Sequence, residues 1–205
     1  AFGLRPLFII VFTTGIIMSL LSTKTDPLST VYDDEVYALG TIYIESSEEV
    51  EANLTGVSSD VTASNWMGTG NRTWIFVRAV GDVTKGRLLK FDYTTLFPRP
   101  GAPGVTIVGK AFPFHVTENT TSDQHPMQLA GVSDHDIPDG KYGWIIKQGV
   151  CFADVTTCSD GNGLAGDGTS GHLKFSSSPQ LLVGIALEDK DKTVTDYAHV
   201  LLRLP

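Results

Sequence analysis

The sequence predicts an all-β protein, and three observations carry the prediction. The first is an internal repeat. Val80 to Phe91 reads Val-Gly-Asp-Val-Thr-Lys-Gly-Arg-Leu-Leu-Lys-Phe, and Ala165 to Phe175 reads Ala-Gly-Asp-Gly-Thr-Ser-Gly-His-Leu-Lys-Phe, one residue shorter. Gly81-Asp82, Thr84, Gly86 and Leu89-Lys90-Phe91 match Gly166-Asp167, Thr169, Gly171 and Leu173-Lys174-Phe175. A Trp-Ile pair precedes each copy (Trp74-Ile75, Trp144-Ile145), and a Val-Gly-x-Ala segment follows each (Val108 to Ala111, Val183 to Ala186). Glycine suits turn positions of positive φ, and Asp can accept bonds from turn N–H groups, so each copy reads strand, Gly-Asp turn, strand. The second observation is composition: 21 Gly with abundant Thr, Val and Ser favour short strands and turns. The third is that no segment sustains a helical period.

Length and charge narrow the classes. The 205 residues suffice for one large or two small domains and for a core without cross-links. A net charge of -8, with no cluster of Lys and Arg, argues against a nucleic-acid surface. Cys151 and Cys158 are separated by six residues. They could close a hairpin disulfide or be two thiols, and either way are expected on an exposed loop.

The chain opens Ala1-Phe2-Gly3-Leu4-Arg5-Pro6. Alanine is small enough for removal of an initiator Met, so Ala1 is expected to be the natural start. Leu7 to Leu21 is the most apolar run, 15 residues long. Three readings compete for it. A transmembrane helix would need about 20 apolar residues. A signal peptide has an apolar core of this length, but Arg5 is the only early cation and Ser22 to Thr25 offers no small-x-small cleavage site. The third reading, which the β-formers and the Thr13-Thr14-Gly15 break favour, is an extended arm covered by a partner. The arm and its polar link occupy residues 1–35, a first β-unit 36–127 and a second 128–205.

Within the first unit, Val36 to Glu45 ends in a strand, and Glu45, Glu48, Glu49 and Glu51 read as a solvated acidic edge. Trp74 to Val80 is a strand. Tyr93 to Gly104, with Pro98, Pro100 and Pro103, is a long loop, Val105 to Val108 a strand, and His115 to His125 a polar loop. In the second unit, Gln128 to Val132 and Tyr142 to Lys147 are strands flanking a Pro138-Asp139-Gly140 turn. Residues 151–171 read as an exposed polar loop, and Leu181 to Leu187 and Ala198 to Leu204 as the closing strands.

No stretch carries recognisable catalytic chemistry, so no enzyme activity, cofactor or metal is expected. Ser133-Asp134-His135-Asp136 gathers acid–base groups, but neighbours on a turn point apart. Asp160-Gly-Asn-Gly lacks the spacing and closing Glu of a calcium loop. Trp66, Trp74 and Trp144 could stack on sugar, although Trp74 and Trp144 open matching strands and so belong in a core. Asn53, Asn71 and Asn119 head glycosylation sequons, which matter only if the chain is secreted. A membrane-anchored or secreted glycoprotein and a carbohydrate-binding module are therefore the two rival classes.

Two stretches resemble bacteriophage proteins. Ala1 to Pro6 is similar to the Ala-Tyr/Phe-Gly-Leu/Phe-Arg-Pro opening of structural proteins of tailed phages. Ala130-Gly-Val-Ser-Asp-His-Asp-Ile-Pro-Asp-Gly-Lys-Tyr-Gly-Trp-Ile resembles the Ala-Gly-Val…Ile-Pro…Gly-x-Tyr-Gly-Trp/Phe segment of phage head decoration (cement) proteins. The Gly-Asp turns fit the small β-barrel, β-tulip-like modules of that family. The resemblance implies a structural virion protein that binds the outer head surface at junctions of major capsid subunits. It also implies association with itself, as a homotrimer, and no contact with nucleic acid or membrane. The apolar run and the Cys-bearing insertion stand outside the pattern. The partner interface is then expected on the arm, at Phe2, Leu4, Arg5, Leu7, Phe8, Ile9, Phe12 and Ile16.

Overall fold

In the computed structural model, which describes residues 27–47, 49, 71–92, 97–98, 106–107, 114–118, 126–156, 158–168, 171–190 and 196–205, β-branched and aromatic runs form strands; Gly81 lies in a bend as expected, whereas Gly166 closes a strand instead of opening a turn. The strands are β1 (Ile42–Glu45), β2 (Arg72–Ala79), β3 (Leu88–Phe91), the two-residue pair β4 (Phe97–Pro98) and β5 (Thr106–Ile107), β6 (His115–Glu118), β7 (Leu129–Ser133), β8 (Tyr142–Val155), β9 (Gly163–Gly166), β10 (Leu173–Phe175), β11 (Gly184–Ala186) and β12 (Asp196–Arg203). The protein is all-β, as the sequence predicts. Its main sheet runs β1-β2-β6-β3-β7-β8-β10-β9-β11-β12, with β2–β8 and β8–β12 also paired.

Those extra pairings close the sheet twice. The path β2–β6–β3–β7–β8 returns to β2. The path β8–β10–β9–β11–β12 returns to β8. Two rings of strands therefore share β8, whose first half belongs to one ring and whose second half to the other. The change of ring falls at Gly149, with φ +104, where a Cβ would press on Arg72 at 2.8 Å. β7 and the first half of β8, from beyond residue 127, complete the ring that β2, β3 and β6 begin.

Each ring has its own core. Every strand of the first contributes to one buried cluster: Ile75 and Val77, Val116, Leu89, Ala130 and Ile145. The second encloses Cys151, Ala153, Val155, Leu173, Leu164, Ala186, Val200 and Leu202. That cluster continues over the other face of the first ring through Trp74, Phe76, Val132, Trp144 and Ile146. Period-two alternation places successive side chains of β2 and β8 in the two cores by turns.

The segment before β1 acts as a strap over this face. Tyr32 exchanges backbone hydrogen bonds with Tyr142 at 2.9 and 3.1 Å, on the side of β8 away from β2. The chain then crosses both strands, with Tyr37 against Phe76 and Trp144 at ring distances of 5.3 and 5.2 Å. It docks beyond β2, where Gly40 N–H donates to Phe76 O and Phe76 N–H to Thr41 O.

The rings are fastened by equivalent turn locks. In the first, Val83 bridges Ile137, Gly140 N–H donates to Ala79 O, Ala79 N–H to Lys141 O, and Asp139 N–H to an Asp82 carboxylate oxygen at 2.9 Å. In the second, Cys158 bridges Lys190, Gly161 N–H donates to Ala186 O, Ala186 N–H to Asn162 O, and Asp160 N–H to Asp189 at 2.8 Å. Asp82 thus corresponds structurally to Asp189. The sequence repeat instead aligned Asp82 with Asp167. The two sequence copies share a glycine of positive φ (Gly86, Gly171) followed by a fully buried leucine that opens a strand (Leu88, Leu173). Their pairings differ: β9 and β10 form a hairpin, whereas β2 and β3 lie apart with β6 between them.

Three expectations are corrected. Residues 151–171 are not an exposed loop: β8 continues to Val155 and β9 follows, because Cys151, Ala153 and Val155 supply inward-facing apolar positions that a polar composition concealed. Cys151 and Cys158 are accordingly buried, and both are free thiols. His115 to Glu118 is a strand rather than part of a loop, since His115 and Val116 are buried between β2 and β3.

Candidate functional site

The acidic edge read from the sequence is divided by the fold. Glu45 sits opposite Arg72 in the β1–β2 ladder, with Tyr43 opposite Trp74. Its carboxylate accepts from Arg72 Nε at 2.7 Å, Arg72 Nη2 at 3.0 Å and Trp74 Nε1 at 2.8 Å, and the group is only 2% exposed. The Arg72 guanidinium also lies 5.3 Å from the Trp74 ring centre. A two-pronged Arg–carboxylate pair with a third donor satisfies a buried charge. Glu45 is therefore a structural anchor and not part of a solvated edge. Glu49 behaves differently: bonds from the Ser46 backbone and hydroxyl hold its carboxyl below the ordinary value.

A second buried cluster joins the two repeat copies. The Gly86-Arg87-Leu88 turn and the Gly171-His172-Leu173 turn lie side by side, with Leu88 N–H donating to Gly171 O at 2.7 Å. Asp154 of β8 stands between them. Its N–H donates to Gly86 O at 2.8 Å, its Oδ2 lies 3.3 Å from Arg87 Nη2, and its Oδ1 lies 3.0 Å from His172 Nδ1. Arg87 Nη1 meets His172 Nε2. A guanidinium can only donate, so this arrangement assigns the lone pair to Nε2 and the proton to Nδ1. The carboxylate–imidazole pair has the order of a catalytic dyad, but the nitrogen a general base would offer to substrate is occupied by Arg87. What the cluster does is tie β3, β8 and β10 together. Gly86, at φ +77, admits no side chain because the Tyr197 ring and the Asp154 backbone fill the place of a Cβ.

The turn carrying Ser133 to Asp136 is likewise consumed by structure. Ser133 Oγ donates to His135 O, and Asp136 accepts the Lys85 N–H at 2.7 Å. Burial raises the Asp134 carboxyl above its usual value. Burial pushes the Cys151 thiol up to about 12, so it stays protonated at neutral pH. Trp74 and Trp144 are buried, as expected, and offer no face to a sugar.

The arm residues Phe2, Leu4, Arg5, Leu7, Phe8, Ile9, Phe12 and Ile16 lie outside the described residues, as do Trp66, Asn53 and Asn119. Among the described residues no helix is long and apolar enough to cross a membrane. The Arg87–His172–Asp154 cluster was missed from sequence because its members are 18 to 85 positions apart. The only signal was that Arg87 and His172 follow equivalent glycines of the repeat.

No family model matches the chain, and no curated protein matches it. A crystal structure of the head fiber gp8.5 N base of bacteriophage phi29 is similar over 64% of this chain and 94% of that one, with a TM-score of 0.43 and 12% identity.

Proposed function

We propose that the chain is a structural virion protein, a decoration (cement) protein that binds the outer surface of a phage head at junctions of major capsid subunits. The observation that carries the reading is the Ala130 to Ile145 segment, whose sequence resembles decoration proteins. Here it forms β7, the Asp139-Gly140 turn and the start of β8, which close the first ring and complete its lock. The polar groups of the body support the reading, since Glu45, Arg72, Arg87, Asp154 and His172 are engaged with one another. A body of this kind presents an outer surface and leaves attachment to the arm and to self-association as a homotrimer. No cofactor, nucleic acid or membrane enters this function, and no catalysis is assigned. The carbohydrate-binding alternative loses two of its three stacking platforms to the core. The test is reconstitution: heads stripped of the protein should rebind it at saturable sites on the outer shell and resist heat or chelation better afterwards. Absence of saturable binding would discard the reading.

A further inference from the structure

β1 is the terminal strand of the main sheet and pairs only with β2 among the described residues. Tyr43 and Glu45 turn inward, the first onto the second core and the second onto Arg72 and Trp74. Ile42 and Ile44 face the other way and are 47% and 43% exposed. Val31 and Val36, in the strap leading to β1, are exposed as well. Among the described residues the outer edge of β1 is unpaired, its two exposed isoleucines stand at i, i+2, and its one charge, Glu45, is neutralised inside by Arg72, so the edge is a template for strand addition.

We propose that this edge takes up the Leu7 to Leu21 segment of a neighbouring copy. The occupant is chosen on three grounds. The 26 residues preceding the described chain contain the run Leu7-Phe-Ile-Ile-Val-Phe12, rich in the β-branched and aromatic residues that suit an added strand. Paired beside β1, it extends the Ile42 and Ile44 row with side chains of the same kind. The described part of the strap also begins on the opposite side of the sheet from that edge. Tyr32 is held on the far side of β8, so β8, β2 and β1 lie between Tyr32 and the outer edge of β1. A second copy presents its arm there without that crossing. Reciprocal exchange of arms between two copies closes as a dimer, and hand-over from copy to copy closes as a ring when the rotation between copies divides a full turn.

The experiment uses full-length protein and no phage particles, so its result is independent of the decoration role. A benzophenone amino acid replaces Ile44, light and 15N-labelled copies are mixed, and the irradiated product is mapped. The expected product is a heavy–light cross-link from position 44 to residues 7–21. In parallel, the Ile42→Lys/Ile44→Lys double variant should keep its circular dichroism, since both side chains are half exposed. Its self-association by analytical ultracentrifugation should weaken by about tenfold or more. A cross-link within one copy, a cross-link to residues 51–70, no cross-link, or unchanged association of the lysine variant would each overturn the proposal.

Discussion

At the scale of single residues, the buried charges and histidines are where a single substitution or a change of pH acts most strongly on stability. Asp154 is the only carboxylate joining Arg87 and His172 among the described residues, and its side chain is 10% exposed. Removing one member of such a buried set strands the others, at a cost of about 3 kcal/mol. Asp154→Ala should therefore lower the urea midpoint by the corresponding amount without changing the m-value, and Glu45→Ala should do the same through Arg72 and Trp74. A loss under about 1 kcal/mol in either variant would show that water enters and satisfies the partners. Two other histidines give stability a pH dependence. Burial, with the Arg78 charge beside it, holds His115 below the ordinary histidine value. Burial does the same to His199 despite the neighbouring Glu188. The unfolded chain then binds protons that the folded chain refuses. Stability is complete above the unfolded value of about 6.5 and falls as pH drops below it towards the folded values. Urea midpoints should decline between pH 7.5 and 5.5, and the slope should shrink in His115→Gln/His199→Gln. A flat profile in the parent protein would refute the assignment.

At the scale of elements, the turn locks and the shared strand decide the fold. Asp82 and Asp189 each accept one backbone N–H in their ring, a bond worth about 1 kcal/mol. Asp82→Ala and Asp189→Ala should lose about that much each and add in the double variant, because they act in different rings. Asp82→Ala and Asp139→Ala should couple, since Asp139 also accepts the Gly81 N–H at 2.7 Å. Thermal denaturation of the three single variants and the two double variants checks both statements. This is also where sequence reading reached its limit. The β-content, the strands around Trp74 and Trp144 and their burial were legible, because alternation of large apolar residues is a local signal. Glu45 was misread because nothing local shows that β1 will lie against Arg72 and Trp74. The second half of β8 was missed because Cys151, Ala153 and Val155 are small and their intervening partners are Phe152 and Asp154, which gives a weak alternation. A thiol pushed to about 12 has a simple consequence. Cys151 should react with a thiol reagent only on unfolding, and Cys151→Ser should cost roughly 1–3 kcal/mol by placing a hydroxyl among apolar side chains. Fast labelling of native protein would contradict its place in the core.

At the scale of the whole molecule, the described strands close on themselves in two rings. Both rings are completed by residues after Gly40, and the strap from Leu28 to Leu39 packs on the second core through Leu28, Tyr32, Tyr37 and Leu39. These contacts are all made by residues from Leu28 onward. Apolar side chains of the kind that fill Leu7 to Leu21 contribute roughly 1.5–3 kcal/mol each when buried, much of it offset by ordering the chain. Enough remains for such an arm to govern association while leaving folding untouched. Deleting residues 1–22 should therefore leave the thermal midpoint within a few degrees of the parent and the protein soluble, yet reduce both self-association and retention on phage heads. The two readouts separate the possible causes. Loss of self-association with head binding retained would place the arm between copies only, and loss of head binding alone would place it against the shell. If the truncated protein behaves as the parent in both assays, the arm has no part in assembly. If it fails to fold, the division into body and arm is wrong.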